Sequence, residues 1–487
     1  MSPADDTHPA LLLQPLRMSA TQMTAALRAG QISSRELVDA HIARIETVNP
    51  RTNAVVQQRF AAARAEADAA DERLRGTADK SSLPPLLGVP CTLKENFAFK
   101  GFPQVSGLVA RRGRLAERDA PTVARLRAAG AIVLGFTNTP ELCMWMETNN
   151  KVYGRTGNAY NPACTTGGSS GGEGSVIGSG GSPFGLGADV GGSIRFPSFF
   201  NGVFGHKPTP GIVPNSDQAP EPAGQMNYNC VTGPLARRAE DLWPLLNILA
   251  GPDGRDPVCK AGTLKGDPAS VRLKDIRVLS LEHNGRQRVA ADLRAAQRGA
   301  AEWLGTQCAE LKTPNWPTIA KSFEIWSAMM QAAEPQPFAV QLGEGKRIRV
   351  GLELLKSCFG RSVHTFPALV LAGIESFPMD RARYVKMGEA LRAQIIEDLG
   401  PNGVLLMPPY SRAAPRHNWP LTTPFDFAYC GIFNVLGFPA TTVPLGLNKR
   451  GLPLGTQVVS VPGNDAVTIA VAQALEKQFG GWVPPAN

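Results

Sequence analysis

A Gly/Ser-rich segment between residues 154 and 205 most constrains how this chain can fold. This window holds 16 of the 50 glycines of the 487-residue chain, and apolar residues such as Phe184, Leu186 and Ile194 are interspersed among them. Flexible linkers lack such apolar residues, whereas glycine is needed where the backbone turns tightly or approaches another group closely. The pattern therefore predicts a buried, tightly turned segment.

The segment contains two candidate arrangements for a nucleophilic serine. Residues 167–171 match G-x-S-x-G, the nucleophile elbow of α/β-hydrolases, but residues 161–162 indicate a turn where the elbow requires a strand. Alternatively, Ser193 follows Gly191 and Gly192, whose backbone N–H groups could converge on one point as an oxyanion nest. The phosphate-binding patterns G-x-x-x-x-G-K-S/T and G-x-G-x-x-G are absent from the segment.

Lys94 is the candidate base for the second arrangement. It ends an apolar stretch, residues 89–93, whose alternation predicts a strand with Lys94 on the face opposite to Val89 and Leu93. A lysine kept neutral by burial can deprotonate a serine, because desolvation disfavours the ammonium form. A neighbouring carboxylate would stabilise that charged form, so we expect Glu95 to point away from Lys94.

The composition of the chain changes near residue 80. Residues 1–80 are predicted to form an N-terminal helical segment that packs on the core, with a capping box at Ser33 and Glu36 and a helix of strong helix formers over 61–74. From residue 81 to residue 487, strand-like and helical segments alternate. This alternation predicts an α/β catalytic core around one large sheet.

Charge and cysteine content exclude several classes of protein. The formal net charge of +9 is scattered, so no nucleic-acid partner is expected. The eight cysteines lie far apart and show no zinc-like spacing, which predicts free thiols in a reducing cytoplasm and no metal site. The sequence shows neither a signal peptide nor an apolar run of transmembrane length, so we expect a cytoplasmic protein without a transmembrane anchor.

Three blocks of the sequence resemble the amidase signature family. They are residues 88–96, 167–172 and 191–195, which occur in the order and at the spacing typical of that family. The resemblance extends from about residue 20 to the C-terminus. Within the family, residues 141–145 and 199–208 are similar to the type-2 branch of fatty-acid amide hydrolases.

The resemblance implies a single large α/β domain in which helices cover both faces of a mixed, twisted sheet. It also implies hydrolysis of linear carboxylic amides, either fatty-acid, aryl or similar apolar amides, with carbamates and esters as further candidates. Ser193 would become acylated, Ser169, reached through a cis peptide bond after Gly168, would relay the proton, and Lys94 would be the base. We expect a small-molecule substrate, a homodimer and no cofactor.

The resemblance further assigns roles to residues around the triad. The N–H groups of the oxyanion turn are expected to come from Val190, Gly191, Gly192 and Ser193. A second set, expected to support the loop, consists of Asp189, Arg195, Gly168 and Ser170, with Asp189 and Arg195 forming a pair. Candidates for an apolar acyl pocket are Met144, Trp145, Trp326 and Met330.

Two other functions remain open at the level of the sequence. One is the amidotransferase subunit of a glutaminyl-tRNA-forming complex, which resembles the same family but usually carries Gln where this chain has Phe196. The other is a non-catalytic binding module on the same scaffold, although Lys94, Ser169 and Ser193 are all present. Copurification with partner chains distinguishes the first alternative from a free-standing hydrolase.

Overall fold

The computed structural model describes residues 15–333, 336–375 and 379–486. The strands are β1 (Val55–Gln58), β2 (Pro90–Lys94), β3 (Ile132–Thr137), β4 (Asn149–Asn150), β5 (Gly154–Arg155), β6 (Phe184–Asp189), β7 (Phe204–Lys207), β8 (Val231–Ala236), β9 (Arg277–Ser280), β10 (Glu310–Lys312), β11 (Gly403–Met407), β12 (Ala440–Leu447) and β13 (Pro453–Ser460). The α-helices are α1 (Ala20–Arg28), α2 (Ser34–Thr52), α3 (Phe60–Gly76), α4 (Pro121–Ala128), α5 (Gly171–Gly178), α6 (Arg195–Phe200), α7 (Met226–Asn229), α8 (Leu242–Leu249), α9 (Ala291–Gly305), α10 (Ser322–Ala333), α11 (Phe338–Gln341), α12 (Val350–Cys358), α13 (Phe366–Ile374), α14 (Arg381–Leu399), α15 (Ala428–Val435) and α16 (Asp465–Phe479).

One mixed sheet runs through the described residues and joins eleven strands in the order β1-β3-β2-β6-β8-β7-β12-β13-β11-β9-β10. The β3-β2-β6 and β11-β9-β10 neighbours are parallel, and the other pairs are antiparallel. Helices flank the sheet, and strand residues alternate between two apolar clusters: Val404 and Leu406 lie in one, Leu405 and Met407 in the other. Since successive side chains of a strand point to opposite faces, both faces are covered, which confirms the predicted α/β fold.

The N-terminal segment departs from the expected helices at one place. The capping box at Ser33 and Glu36 starts α2 as predicted, but α2 continues through Pro50 to Thr52, and the chain then forms β1, which pairs antiparallel with β3. The Asn49 side chain accepts hydrogen bonds from the N–H groups of Ala54 and Val55 and folds the chain back onto the sheet. The boundary at residue 80 stays a prediction. Strand β1 interrupts the expected helices, and residues 1–14 of this segment lie outside the described residues.

The sheet brings the first block of the family resemblance, residues 88–96, to the same edge as β6, the strand that precedes the third block at residues 191–195. Strands β2, β3 and β6 are parallel neighbours, so their carboxyl ends, at Lys94, Thr137 and Asp189, meet at the same edge. Helix α5 begins just after Ser170 and packs against these strands. In the part of the chain that the structure describes, no helix is both long and apolar enough to span a bilayer.

Candidate active site

Lys94 and Ser169 form the buried centre of the site. Lys94 Nζ donates a hydrogen bond to Ser169 Oγ over 2.7 Å, and the two residues are 0% and 2% exposed. The peptide bond between Gly168 and Ser169 is cis, as the resemblance implies. A Cβ atom on Gly168 would lie 2.4 Å from the carbonyl oxygen of Trp145, so only glycine fits at this position. The strand end and the glycine-rich loop therefore place an amine and a hydroxyl in direct contact.

Glu95 points away from Lys94, as expected. Its carboxylate accepts hydrogen bonds of 2.7 Å from the N–H groups of Val105 and Ser106. Burial raises the pKa of the Glu95 carboxyl to about 7, although these hydrogen bonds act in the opposite direction. Within the described residues, Lys94 forms no ion pair with this or any other carboxylate.

A second buried acid, Glu173, lies on the same side of the sheet as Lys94. Its carboxyl oxygens accept hydrogen bonds of 2.8 Å from the hydroxyls of Thr92 and Thr137. Glu173 was not among the predicted site residues, although an acidic side chain inside a buried Gly/Ser-rich segment is itself a signal in the sequence. Lys94 thus has a buried carboxyl on its own side of the sheet that was not among the candidate site residues.

Ser193 lies at the rim of the same site. It is partly exposed, and its carbonyl oxygen accepts a 3.1 Å hydrogen bond from the N–H of Ser170, which ties the two serine loops together. In the structure as described, the hydroxyl of Ser193 has no hydrogen bond to Ser169. The loop of Ser193 is therefore joined to the loop of Ser169, and the role of Ser193 in a triad stays a prediction.

Asp189 and Arg195 form the expected pair, and neither residue is exposed. Two nitrogens of Arg195 donate to the two carboxylate oxygens of Asp189, each over 3.0 Å. Burial by itself raises the pKa of the Asp189 carboxyl, but the charge and hydrogen bonds of Arg195 lower it overall. Arg195 also donates to Asn434 Oδ1, to Gln457 Oε1 and to the Cys430 carbonyl oxygen. The pair thus anchors the turn after β6 to the C-terminal half of the chain.

The turn between Asp189 and Arg195 differs from expectation at Gly192. The N–H of Gly192 donates to Asp189 Oδ1 over 2.7 Å, so it is not free to bind an oxyanion, and its expected role as a donor is wrong in this structure. Gly192 has a φ of 119°, and a Cβ there would lie 2.2 Å from the Phe196 ring, so its role is to allow the turn. The N–H groups of Val190, Gly191 and Ser193 have no acceptor in the described part of the chain and stay candidates.

Two of the four candidate pocket residues lie against the loops that carry Ser169 and Ser193. Trp326 Nε1 donates to the Val190 carbonyl oxygen over 3.1 Å, and its ring packs edge-on against Phe427 with centroids 4.7 Å apart. The backbone of Trp145 lies against Gly168. Phe427 was not predicted as a pocket residue, and no local pattern distinguishes it from ordinary core.

The two methionines proposed for the pocket are less closely connected to the site. Met330 is buried in the same apolar cluster as Trp145 and Trp326. Met144 packs instead in a separate cluster that contains Leu108 and Phe338. The two methionines therefore lie in different apolar clusters, although both were predicted as residues of one acyl pocket.

The histidines do not support the alternative nucleophile elbow. His206 hydrogen-bonds to Asp465 and His364 to Glu141, and across the described ranges no histidine hydrogen-bonds to Ser169 or Ser193. The residues just before Ser169 form no strand: Cys164 and Thr165 make isolated β-bridges only, and residues 166–168 have no regular secondary structure. A histidine-assisted elbow therefore lacks both its base and its preceding strand among these residues.

Comparison with known proteins places this geometry in a family. The Amidase family model matches residues 36–469. The chain is 44% identical over 503 residues to "Fatty-acid amide hydrolase 2" of Homo sapiens, an alignment that covers 99% of this chain and 92% of the relative. It is 30% identical to a glutamyl-tRNA(Gln) amidotransferase subunit of Synechococcus sp. (strain CC9605), over 93% of this chain and 94% of the relative.

A solved structure shows the same architecture. The 6-aminohexanoate cyclic dimer hydrolase complexed with substrate superposes with a TM-score of 0.77 at 26% identity, over 95% of this chain and 97% of that chain. Sequence similarity and structural similarity to amide hydrolases thus both extend over nearly the whole length of the protein. The chain belongs to the amidase family, and it is an enzyme that hydrolyses amides.

Proposed function

We propose that this amidase cleaves apolar carboxylic amides through an acyl-enzyme on Ser193, with Ser169 as the proton relay and Lys94 as the base. The observation that carries the proposal is the buried 2.7 Å hydrogen bond between Lys94 Nζ and Ser169 Oγ. It is supported by the partly exposed Ser193, whose loop is bonded to Ser170. A buried amine, a relay hydroxyl and a nucleophilic hydroxyl are the groups that such a reaction needs.

The proposed chemistry moves one proton in each direction. Neutral Lys94 takes the proton of Ser169, which takes the proton of Ser193, while Ser193 Oγ bonds to the carbonyl carbon. The N–H groups of Val190, Gly191 and Ser193 are the donors that stabilise the negative oxygen of the tetrahedral intermediate. As the C–N bond breaks, the proton held by Lys94 returns through Ser169 to the leaving nitrogen. Water then hydrolyses the acyl ester by the same route, and Ser193 regains its proton.

The proposed substrates have an apolar acyl group of the fatty-acid or aryl type, and carbamates and esters of similar shape are further candidates. Support comes from Trp326 and Phe427, which pack next to the oxyanion turn and provide apolar surface there. The name of the human relative points to the same substrate class. A panel of amides with acyl chains from two to eighteen carbons tests this, and intact-mass detection of an acyl adduct on Ser193 tests the mechanism. Equal rates along the series, or an adduct on another residue, would contradict the proposal.

The alternative function is the amidotransferase subunit of a glutaminyl-tRNA-forming complex. It is favoured by the 30% identity to such a protein. Phe196, at the position usually occupied by Gln in those subunits, is only 2% exposed and its ring contacts Gly192. Copurification of stoichiometric partner chains, together with glutamine-dependent activity, would support this alternative over a free-standing hydrolase.

We further propose that the enzyme is a cytoplasmic homodimer. All eight cysteines are free thiols, which suits a reducing compartment. Exposed apolar side chains on α12, α13 and the residues between them offer a surface that a second copy could cover; they include Leu355 and Phe359, which are 58% and 71% exposed. Sedimentation analysis of the native protein and of a Leu355→Glu/Phe359→Glu variant tests the dimer, and an unchanged mass would contradict this interface.

A further inference from the structure

Glu173 is a buried acid at the site to which the triad assigns no role. It is the third residue of α5, which begins immediately after the Ser169–Ser170 pair, and it is 0% exposed. Its Oε2 accepts from Thr92 Oγ1 and its Oε1 from Thr137 Oγ1, both over 2.8 Å. The carboxyl thus fastens the start of α5 to two neighbouring strands at once.

The same carboxyl lies on the face of the sheet where Lys94 points. Thr92 precedes Lys94 by two residues on β2, so the two side chains share a face. Thr137 on β3 is in register with Lys94. Space for the carboxyl is made at Gly185 of β6, where a Cβ would lie 1.8 Å from Glu173 Oε2. Residues of three adjacent strands therefore surround the Glu173 carboxyl group on the face of the sheet that carries Lys94.

We propose that Glu173 is a positioning residue for amide hydrolysis: its carboxyl group fixes Ser169 against Lys94, and a negative charge on that carboxyl favours the ammonium form of Lys94. The inference rests on the triad proposed above. Glu173 touches neither substrate nor the reacting atoms, and it acts through Ser169, by holding the start of α5, and through Lys94, by its charge. Loss of its side chain therefore affects the geometry of the relay, and loss of its charge alone affects only the pH dependence.

The neutral form of Glu173 fits its surroundings. Burial raises the pKa of the Glu173 carboxyl to about 8, although the two threonine hydrogen bonds and the charge of Lys94 act in the opposite direction. When the carboxyl is protonated it can donate to Thr137 Oγ1, because the Thr137 hydroxyl has a second acceptor in the Leu93 carbonyl oxygen, 3.4 Å away. Both charge states are therefore compatible with the same positions of the heavy atoms.

Among the charged groups around α5, Lys94 is the one that affects the titration of the Glu173 carboxyl. In the described part of the chain, the buried titratable groups on elements that pack against α5 are His41 on α2, Cys91 and Lys94 on β2, Asp189 on β6 and Arg195 on α6, and Cys230 and Arg237 flank β8, which also packs against α5. Burial lowers the pKa of His41 to about 3 and raises the pKa of the Cys91 thiol, so both are neutral near pH 7. Asp189 and Arg195 neutralise one another.

The test compares the pH profile of kcat/KM for the native enzyme and Glu173→Gln, which keeps the shape and removes the charge. We expect the rising limb of the Gln variant to move to lower pH by about one unit, because an opposite charge at short range shifts a titration by that order. KM should change less than twofold, since Glu173 does not contact substrate. Glu173→Ala, which leaves Ser169 unsupported, should lose about 100-fold in kcat at every pH.

Two further variants separate the charge of Glu173 from its packing. Glu95→Gln neutralises the other buried acid next to Lys94. Because Glu95 points to the opposite side of the strand, this variant should leave the rising limb of the pH profile in place. Thr92→Val keeps the β-branched shape but removes one donor that favours the ionised carboxyl, so the limb should move in the same direction as in Glu173→Gln, by less. Should Glu173→Gln not fold, the Thr92→Val shift decides the matter.

The outcomes distinguish this inference from the proposed triad. If the rising limb of the pH profile stays in place in Glu173→Gln, or in Thr92→Val when Glu173→Gln does not fold, the proposed charge effect is overturned. The proposed triad survives that outcome as long as an active-site probe still acylates Ser193. An unaltered kcat in Glu173→Ala overturns the positioning effect. If an active-site probe acylates a residue other than Ser193 in the native enzyme, the triad fails first, and this inference fails with it.

Discussion

Lys94 and Ser169 are joined by a hydrogen bond of 2.7 Å in a site where neither residue is more than 2% exposed. In the residues described, no carboxylate hydrogen-bonds to the amine of Lys94. The contact comes from two separate local features: an alternating strand that ends at Lys94 and a glycine-rich loop in which Gly168 leaves room for the backbone of Trp145. Each feature can be disturbed on its own, which makes the site testable.

Removal of the proposed nucleophile should abolish hydrolysis without unfolding the protein. Ser193→Ala is expected to lower kcat at least ~1000-fold, because the acyl-enzyme cannot form. The side chain lies on a partly exposed turn, so the melting temperature should stay within a few degrees of native. A fluorophosphonate probe should label Ser193, as read by peptide mass spectrometry; labelling of Ser169 instead would favour the nucleophile elbow.

Replacement of the proposed base should affect amides more than esters. Lys94→Ala is expected to slow a matched amide at least tenfold more than the corresponding ester, because the amide nitrogen must be protonated to leave. Lys94→Arg should not restore activity, since a guanidinium stays charged at any usable pH. Rates on paired substrates from about pH 6 to about pH 10 measure this. An equal loss on both substrates, or a pH profile like that of the native enzyme, would reduce Lys94 to a structural residue.

Loss of the buried Asp189–Arg195 pair should destabilise the fold. Arg195→Met leaves Asp189 buried and unpaired, which costs about 3–5 kcal/mol of unfolding free energy. The matched control is Arg298→Met: Arg298 makes a similar two-bond pair with Glu282, but its side chain is 55% exposed, so the cost should be at most ~1 kcal/mol. Denaturant unfolding measures both values, and similar losses in the two variants would contradict the assigned anchoring role of Arg195.

The buried Lys207 should make stability depend on pH in the alkaline range. Its Nζ donates to the Pro208 carbonyl oxygen over 3.0 Å, and burial, together with the charge of Arg195, lowers its pKa to about 7. Unfolded lysine titrates near ~10.4, so between these values the unfolded chain holds a proton that the folded chain lacks. The free energy of unfolding contributed by Lys207 therefore falls as the pH falls from about 10 to about 7.

The corresponding experiment compares Lys207→Met with the native protein. The stability advantage of the Met variant should grow from about pH 10 to about pH 7 and then stay constant, as measured by denaturant unfolding at a series of pH values. Lys477→Met, at an exposed position of α16, serves as the control and should show no such trend. A constant difference between Lys207→Met and the native protein over this range would show that Lys207 does not titrate there.

Trp326 should determine how well long acyl groups are used. Trp326→Ala removes apolar surface beside the oxyanion turn, so kcat/KM should fall about tenfold or more for a long-chain amide and much less for an acetamide. Trp326→Phe keeps the packing against Phe427 but loses the hydrogen bond to the Val190 carbonyl oxygen, and it should lower kcat/KM equally for both substrates. Identical losses on short and long acyl groups in Trp326→Ala would place the acyl pocket elsewhere.

The α/β class, the strand ending at Lys94 and the helix starting at Ser33 could all be predicted from the sequence. These features depend on alternation, capping residues and glycine spacing, which act between residues close together in the chain. The Asp189–Arg195 pair, whose members are six residues apart, was expected from the family resemblance. The family resemblance added the expected roles of Ser169 and Ser193, and those roles stay predictions.

Tertiary structure alone decided which distant groups meet at the site. Arg195 reaches Asn434, 239 residues away, and Glu173 reaches Thr92, 81 residues away. The N–H of Gly192 is bonded to Asp189 rather than left free, and β1 joins a sheet where only helices were expected. Contacts of this kind depend on how whole strands and helices pack, and local periodicity carries no information about them. The sequence alone therefore determined which residues could do chemistry, whereas packing decided which carboxyl lies beside Lys94 and which backbone donors are left for the substrate.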